Sequence, residues 1–85
     1  MSRKEKLLRR LLSNPVDFTF QELETLLGLV GCIRNNGGKT SGSKIEFSHV
    51  PTGLDLSIHR PHPGNILKPY VIKLVIEFLT KIGEL

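Results

Sequence analysis

The stretch KIEFSHVPTGLDLSIHR, residues 44–60, decides how this chain folds. Apolar and polar side chains alternate on both sides of PTG at 51–53, as they do in strands with one buried face. The apolar positions are Ile45 and Phe47 before the turn and Leu54, Leu56 and Ile58 after it. Proline and glycine favour turns, so the stretch predicts an antiparallel hairpin with strands over 44–49 and 54–60.

Two helical patterns precede the hairpin, over residues 2–12 and 20–30. Leucines recur in each at the spacing of one helix face. Each segment starts with a Ser or Thr followed three residues later by Glu, which is the capping-box pattern. The Asn-Pro pair at 14–15 ends the first helix, and Gly31 is suited to ending the second.

A third helix is predicted from Pro69, because a proline in the first turn needs no partner for its missing N–H. Its apolar stripe is Ile72, Val75, Ile76, Leu79 and Ile82, widened by Val71, Leu74 and Phe78. A weaker strand candidate covers 32–35. The order α-α-β-β-β-α predicts an α+β fold, with a three-stranded antiparallel sheet, helices on one face and the other face open. The open face carries Lys44, Glu46, Ser48, Asp55, Ser57 and His59.

Composition sets broad limits on function. Eighty-five residues form a single domain, 1–85. The net charge of +4 favours an acidic partner such as nucleic acid. The sole cysteine, Cys32, excludes an internal disulfide. No long apolar run follows the charged start, so we expect neither a signal peptide nor a membrane span, and a cytoplasmic location.

The stretch NNGGKTSGSK, residues 35–44, contains no apolar side chain. Its GKT at 38–40 is reminiscent of a P-loop, but that motif requires glycine where Ile33 stands, and a helix directly afterwards. Nucleotide hydrolysis is therefore not predicted. Backbone N–H, hydroxyl and lysine donors suit this stretch to contact with phosphates. A plain connection between strands also accounts for its composition.

Gly42-Ser43 within this stretch and HPGNILK at 62–68, placed around a hairpin, resemble the HicA family. These proteins are the RNA-cleaving toxins of HicAB toxin–antitoxin systems. The resemblance covers residues 19–85 and makes the first helix, 1–14, an N-terminal addition. It implies a double-stranded-RNA-binding-like fold. RNA and a HicB-like antitoxin that covers the open face are the partners it implies.

One position departs from the family. Its pattern Gly-Ser-His carries the catalytic histidine, and Lys44 stands there in this chain. Either another residue does the chemistry, or the protein binds RNA without cutting it. Metal-independent cleavage needs a base and an acid, which histidine suits. His59, on the open face with Lys44, and His62, in HPGNILK, are the candidate catalytic residues.

The remaining candidates follow from charge and position. The predicted RNA contacts are Lys39, Ser41, Gly42, Ser43, Lys44 and Arg60. His49 falls on the apolar face and ranks last among the histidines. His59 and His62 lack a third ligand close in sequence, so neither a metal site nor another cofactor is predicted. A non-catalytic RNA-binding or regulatory module, favoured by Lys44, and a protein-interaction module, favoured by the apolar width of the last helix, stay open.

Overall fold

The computed structural model of the chain describes residues 2–35 and 44–85. Its elements are, in order, helix α1 (Arg3–Leu12), helix α2 (Phe20–Leu29), strand β1 (Cys32–Asn35), strand β2 (Lys44–His49), strand β3 (Asp55–His59) and helix α3 (Pro69–Lys81). The strands form an antiparallel sheet in the order β1-β2-β3. The predicted α+β class and the order of elements are confirmed.

The hairpin alternates between its two faces as predicted. Its pairs Ile45–Ile58 and Phe47–Leu56 are buried beneath the helices, while the opposite face is exposed or half-buried. Strand β3, the second strand of the hairpin, is shorter than the predicted strand over 54–60. Leu54 belongs to the turn, with its N–H bonded to the Thr52 hydroxyl, and its side chain is 40% exposed rather than buried.

Helices α2 and α3 complete the core over the sheet. Their buried apolar residues are Phe20, Leu23, Leu26 and Leu27 of α2 and Val71, Ile72, Val75, Phe78 and Leu79 of α3. The predicted apolar side of α3 faces this core: Val71 and Phe78 are buried, and Ile76 and Ile82 are partly buried and pack against the core. Leu74 is the exception, since its side chain is 39% exposed. Helix α3 contacts both β3 and α1.

Helix α1 shares this core. Leu11 has no solvent exposure, and α1 contacts both α2 and α3. Its Arg10 donates two hydrogen bonds to the Glu22 carboxylate, from Nε at 2.8 Å and from Nη2 at 3.1 Å. Lys4 forms an ion pair with Glu84 at 3.1 Å. Helix α1 is therefore joined by polar contacts to the start of α2 and to the residues that follow α3.

The two capping boxes differ. Thr19 accepts the Glu22 N–H, and the Glu22 carboxylate accepts the Thr19 N–H, so the box of α2 is complete. Ser2 accepts the Glu5 N–H, but the Glu5 carboxylate accepts only the Ser2 hydroxyl, so the box of α1 is half formed. The hydrogen bond from Arg10, helped by the bonds from Thr19, lowers the pKa of Glu22 from 4.5 to about 2.

We predict that Glu22→Gln lowers the free energy of unfolding by about 1–2 kcal/mol near neutral pH, because a charge-assisted bidentate pair that is partly screened by water is lost. The pKa of Glu22 is lower in the folded chain, so its contribution is complete above pH 4.5 and is lost as the pH falls towards 2. The deficit of the variant should disappear over that range in urea unfolding curves.

The matched control is Glu24→Gln on the same helix. Glu24 pairs with Arg34 at 3.2 Å, with both side chains 37% exposed. Its loss should change stability by less than about 0.5 kcal/mol, because exposed ion pairs contribute little. Equal effects of the two variants would contradict the special role given to Glu22.

Candidate nucleic-acid interface

Lys44 and His59 are paired across β2 and β3, at the end of the hairpin farthest from its turn. The His49 N–H donates to the Leu54 carbonyl at 2.8 Å, and hydrogen-bonded pairs alternate from there along an antiparallel ladder. Lys44 and His59 are therefore a non-hydrogen-bonded pair, in which the Cα atoms lie about 4.5 Å apart and the side chains approach closely. Both residues are exposed, and the placement of His59 on the open face is confirmed.

A cavity of about 210 Å³ opens beside His59, between the end of β3 and the start of α3. It is lined by His59, Arg60, Pro61, His62, Lys68, Tyr70 and Val71. Both candidate catalytic histidines thus border one space, together with Arg60. The N-terminal end of α3 lies here and adds positive potential through the helix dipole, although its first residue, Pro69, has no N–H.

Two of the lining residues, Lys68 and Tyr70, were not predicted as site residues. They flank Pro69 at the start of α3, and both are exposed, Tyr70 by 54%. Lys68 could have been predicted from the sequence, because it is the last residue of HPGNILK. Tyr70 could not, because its side chain comes near the histidines only where the start of α3 lies beside the end of β3.

Backbone hydrogen bonds hold the HPGNILK segment in place. The Phe20 N–H donates to the Asn65 carbonyl at 2.8 Å, and the Leu67 N–H donates to the Phe18 carbonyl at 2.9 Å. Leu67 is buried, and Gly64 adopts a φ of +84°, which suits glycine. The middle of the segment is thereby fastened to the start of α2, and its two ends lie at the cavity.

Arg60 is oriented by an aromatic ring. Its guanidinium carbon lies 5.3 Å from the centroid of the Phe20 ring, within the range of a cation–π interaction. Arg60 lines the cavity described above and also a neighbouring one of about 250 Å³ beside Gly64 and Asn65. Its positive charge therefore lies between two concave surfaces.

Apart from the exposed Ile33 opposite Ser48, the rest of the open face is acidic and polar. The Asn35 amide donates to Glu46 at 3.1 Å and to Ser48 at 2.7 Å, the Ser48 hydroxyl donates to Asp55 at 2.6 Å, and the Ser57 hydroxyl donates to Glu46 at 3.2 Å. Two carboxylates in this network would repel phosphates. The candidate interface is therefore the end of the sheet at Lys44, His59 and the cavity, which we call the basic end.

His49 has a structural role, in line with its place on the apolar face. It is 4% exposed. Its Nε2 lies 3.0 Å from the Val30 carbonyl, and its Nδ1 lies 2.8 Å from the Thr52 hydroxyl. A carbonyl only accepts, so Nε2 donates to Val30, and in the neutral ring Nδ1 accepts from Thr52. The ring joins the end of α2 to the turn of the hairpin.

Four of the predicted RNA contacts lie outside the described residues: Lys39, Ser41, Gly42 and Ser43. Within residues 2–35 and 44–85, no three His, Cys, Asp or Glu side chains are grouped as ligands of a metal ion. In the same ranges, no helix has the length and apolar character needed to cross a membrane.

Comparisons of the chain with models of protein families, with curated proteins and with solved structures found no match. The resemblance to the HicA family therefore rests on the residues quoted from the sequence. The geometry of the basic end is an independent observation.

We predict that His49→Ala lowers the free energy of unfolding by about 2–4 kcal/mol, because it leaves a cavity and an unpaired Val30 carbonyl. The same change at the exposed His59 should alter stability by less than about 0.5 kcal/mol. Thermal and urea unfolding of both variants measure the difference. A stable His49→Ala protein would show that the ring does not join the helix to the hairpin.

Proposed function

We propose that this chain is a HicA-like toxin that binds RNA through the basic end of its sheet and cleaves it there without a metal ion. The observation that carries the proposal is the single cavity bordered by His59 and His62. Arg60 and Lys68 line the same cavity, and Lys44 lies directly opposite His59. Two acid–base groups and three cations thus converge on one end of the fold.

The proposed chemistry uses only these side chains. One histidine removes the proton from a ribose 2′-hydroxyl, and the oxygen attacks the adjacent phosphorus. The bond from phosphorus to the 5′-oxygen breaks, and the second histidine donates the proton that this leaving oxygen needs. The products are a 2′,3′-cyclic phosphate and a 5′-hydroxyl. Lys44 and Arg60 would stabilise the charge that develops on the phosphate oxygens.

Binding follows from charge and from one aromatic side chain. Cations at Lys44, Arg60 and Lys68 can replace the counterions of RNA phosphates. Tyr70, which is 54% exposed at the cavity, is placed to stack on an unpaired base. Proteins that bind single-stranded RNA combine cations and aromatic rings in this way.

A HicB-like antitoxin is the proposed protein partner, as the family resemblance implies. It would inhibit the toxin by covering the open face of the sheet. The acidic network around Glu46 and Asp55 offers hydrogen-bond and ion-pair partners for such a protein beside the basic end.

One observation favours a second candidate function, that of an RNA-binding module without nuclease activity. Lys44 occupies the position of the family's catalytic histidine, and the ammonium group of lysine binds phosphate as a point charge. In this alternative, the basic end binds RNA and the cleavage step is lost.

We predict that the purified protein cleaves end-labelled RNA in EDTA and leaves 2′,3′-cyclic phosphate ends. His59→Ala and His62→Ala should each lower the rate by about 100-fold or more, because an acid–base group is lost. Ser57→Ala, on the same face but away from the cavity, is the control and should retain full activity. RNA that is bound but stays intact would favour the non-catalytic module, and RNA that is neither bound nor cut would contradict both functions.

A second prediction concerns the salt dependence of RNA binding. The double variant Lys44→Gln/Lys68→Gln should bind RNA more weakly and lower the slope of log K against log salt by about 1–2, since each lysine releases about one counterion. Lys6→Gln/Lys81→Gln removes the same charge from α1 and from the far end of α3, neither of which borders the cavity at the basic end, and should leave the slope unchanged. Equal slopes for both double variants would exclude the basic end as the phosphate site.

A further inference from the structure

Strand β3 has an unpaired outer edge among the described residues, since β2 is its sole partner within 2–35 and 44–85. Hydrogen-bonded and non-hydrogen-bonded pairs alternate along β2 and β3, starting from the hydrogen-bonded pair His49–Leu54. The backbone groups of Leu56 and Ile58 therefore bond to β2. The N–H and C=O groups of Asp55, Ser57 and His59 therefore point outward. A row of such groups is a template for another strand.

We propose that a second copy of this chain pairs antiparallel with β3, centred on Ser57. In this register Asp55 of each copy faces His59 of the other. The two sheets join into one sheet of six strands, with both open faces on the same side. The interface is isologous, so the Asp55–His59 contact occurs twice.

The register follows from geometry and charge. Pairing centred on Ser57 places the three outward-pointing residues of one strand opposite the three of the other, so that every edge donor meets an acceptor. Residues opposite each other project to the same face, and Asp55 and His59 both lie on the open face. A carboxylate therefore meets an imidazole at both ends, whereas a shift by two residues in either direction breaks both contacts.

Helix α3 provides apolar area beside the same edge. Cavities between β3 and α3 show that the two elements run antiparallel, with His59 near Tyr70 and Leu56 near Phe78. Tyr70, Leu74, Glu77 and Lys81 are spaced as one helix stripe along this side. Leu74 is 39% exposed, and the two-fold arrangement brings it towards α3 of the second copy.

The pairing gives Asp55 a role in the proposed nuclease site, and this role rests on the function proposed above. The Ser48 hydroxyl binds Oδ1 of Asp55 at 2.6 Å, which leaves Oδ2 for a partner. A ring N–H of His59 in the second copy can donate to it, and a carboxylate in that position fixes the tautomer and orientation of the ring. Asp55 would thus be a positioning residue that acts on the histidine of the other copy.

Sedimentation equilibrium of the full chain tests the pairing. We expect a reversible dimer. Asp55→Lys and His59→Asp should each raise the dissociation constant more than about tenfold, because the first removes the carboxylate that faces the imidazole and the second places two carboxylates together. The double variant Asp55→Lys/His59→Asp should recover wild-type association, since a carboxylate again faces a hydrogen-bond donor at both ends. His62→Asp is the matched control and should not change association. A monomer at every concentration up to about 0.1 mM, or a dimer indifferent to these variants, would overturn the proposal.

Subunit mixing tests the positioning role. Asp55→Asn and His59→Ala should each cleave RNA weakly, and a 1:1 mixture should regain about a quarter of wild-type activity, because half of the dimers are mixed and each holds one complete site. If the wild-type dimer cleaves RNA and the mixture of the two variants regains no activity, Asp55 does not position the histidine of the other copy. If the wild-type chain does not cleave RNA, the proposed function fails, and sedimentation still decides the pairing.

Discussion

The register of the β2–β3 hairpin is the constraint on which both core and candidate site depend. Pairing Phe47 with Leu56 directs the apolar side chains towards the helices. The same register sets Lys44 opposite His59 on the other face. A slip of one residue would move every side chain of a strand to the opposite face. Burial of the apolar face therefore enforces the pairing of two polar residues that contribute nothing to the core.

Two attachments outside the sheet shape the basic end. The backbone bonds of Phe20 to Asn65 and of Phe18 to Leu67 fasten the segment between β3 and α3 to the start of α2. Arg10 in turn holds the start of α2 through Glu22. The cavity lies where the chain leaves β3 and enters α3, so its geometry depends on contacts made by the first helix, far away in sequence.

Local patterns predicted most of the fold, and contacts distant in sequence account for what they missed. Alternation placed the hairpin and assigned His49 to the apolar side, and the capping pattern placed Thr19 before α2. The predicted apolar side of α3 was wrong at Leu74, which is 39% exposed, because the neighbours of a helix, rather than its own periodicity, select which side is covered. Tyr70 belongs to the candidate site only because the start of α3 lies beside the end of β3.

The proposed function depends above all on whether RNA binds at the basic end of the sheet. Titration of the ¹⁵N-labelled chain with a short single-stranded RNA, followed by amide chemical shifts, tests it most directly. We expect the largest changes at residues 44, 59, 60, 62, 68 and 70, with little change at Asp55 and Ser57 of the acidic network and at the hairpin turn, 50–54. Changes centred on the turn or on the outer surface of α1, with the basic end unaffected, would show that RNA does not bind at the basic end.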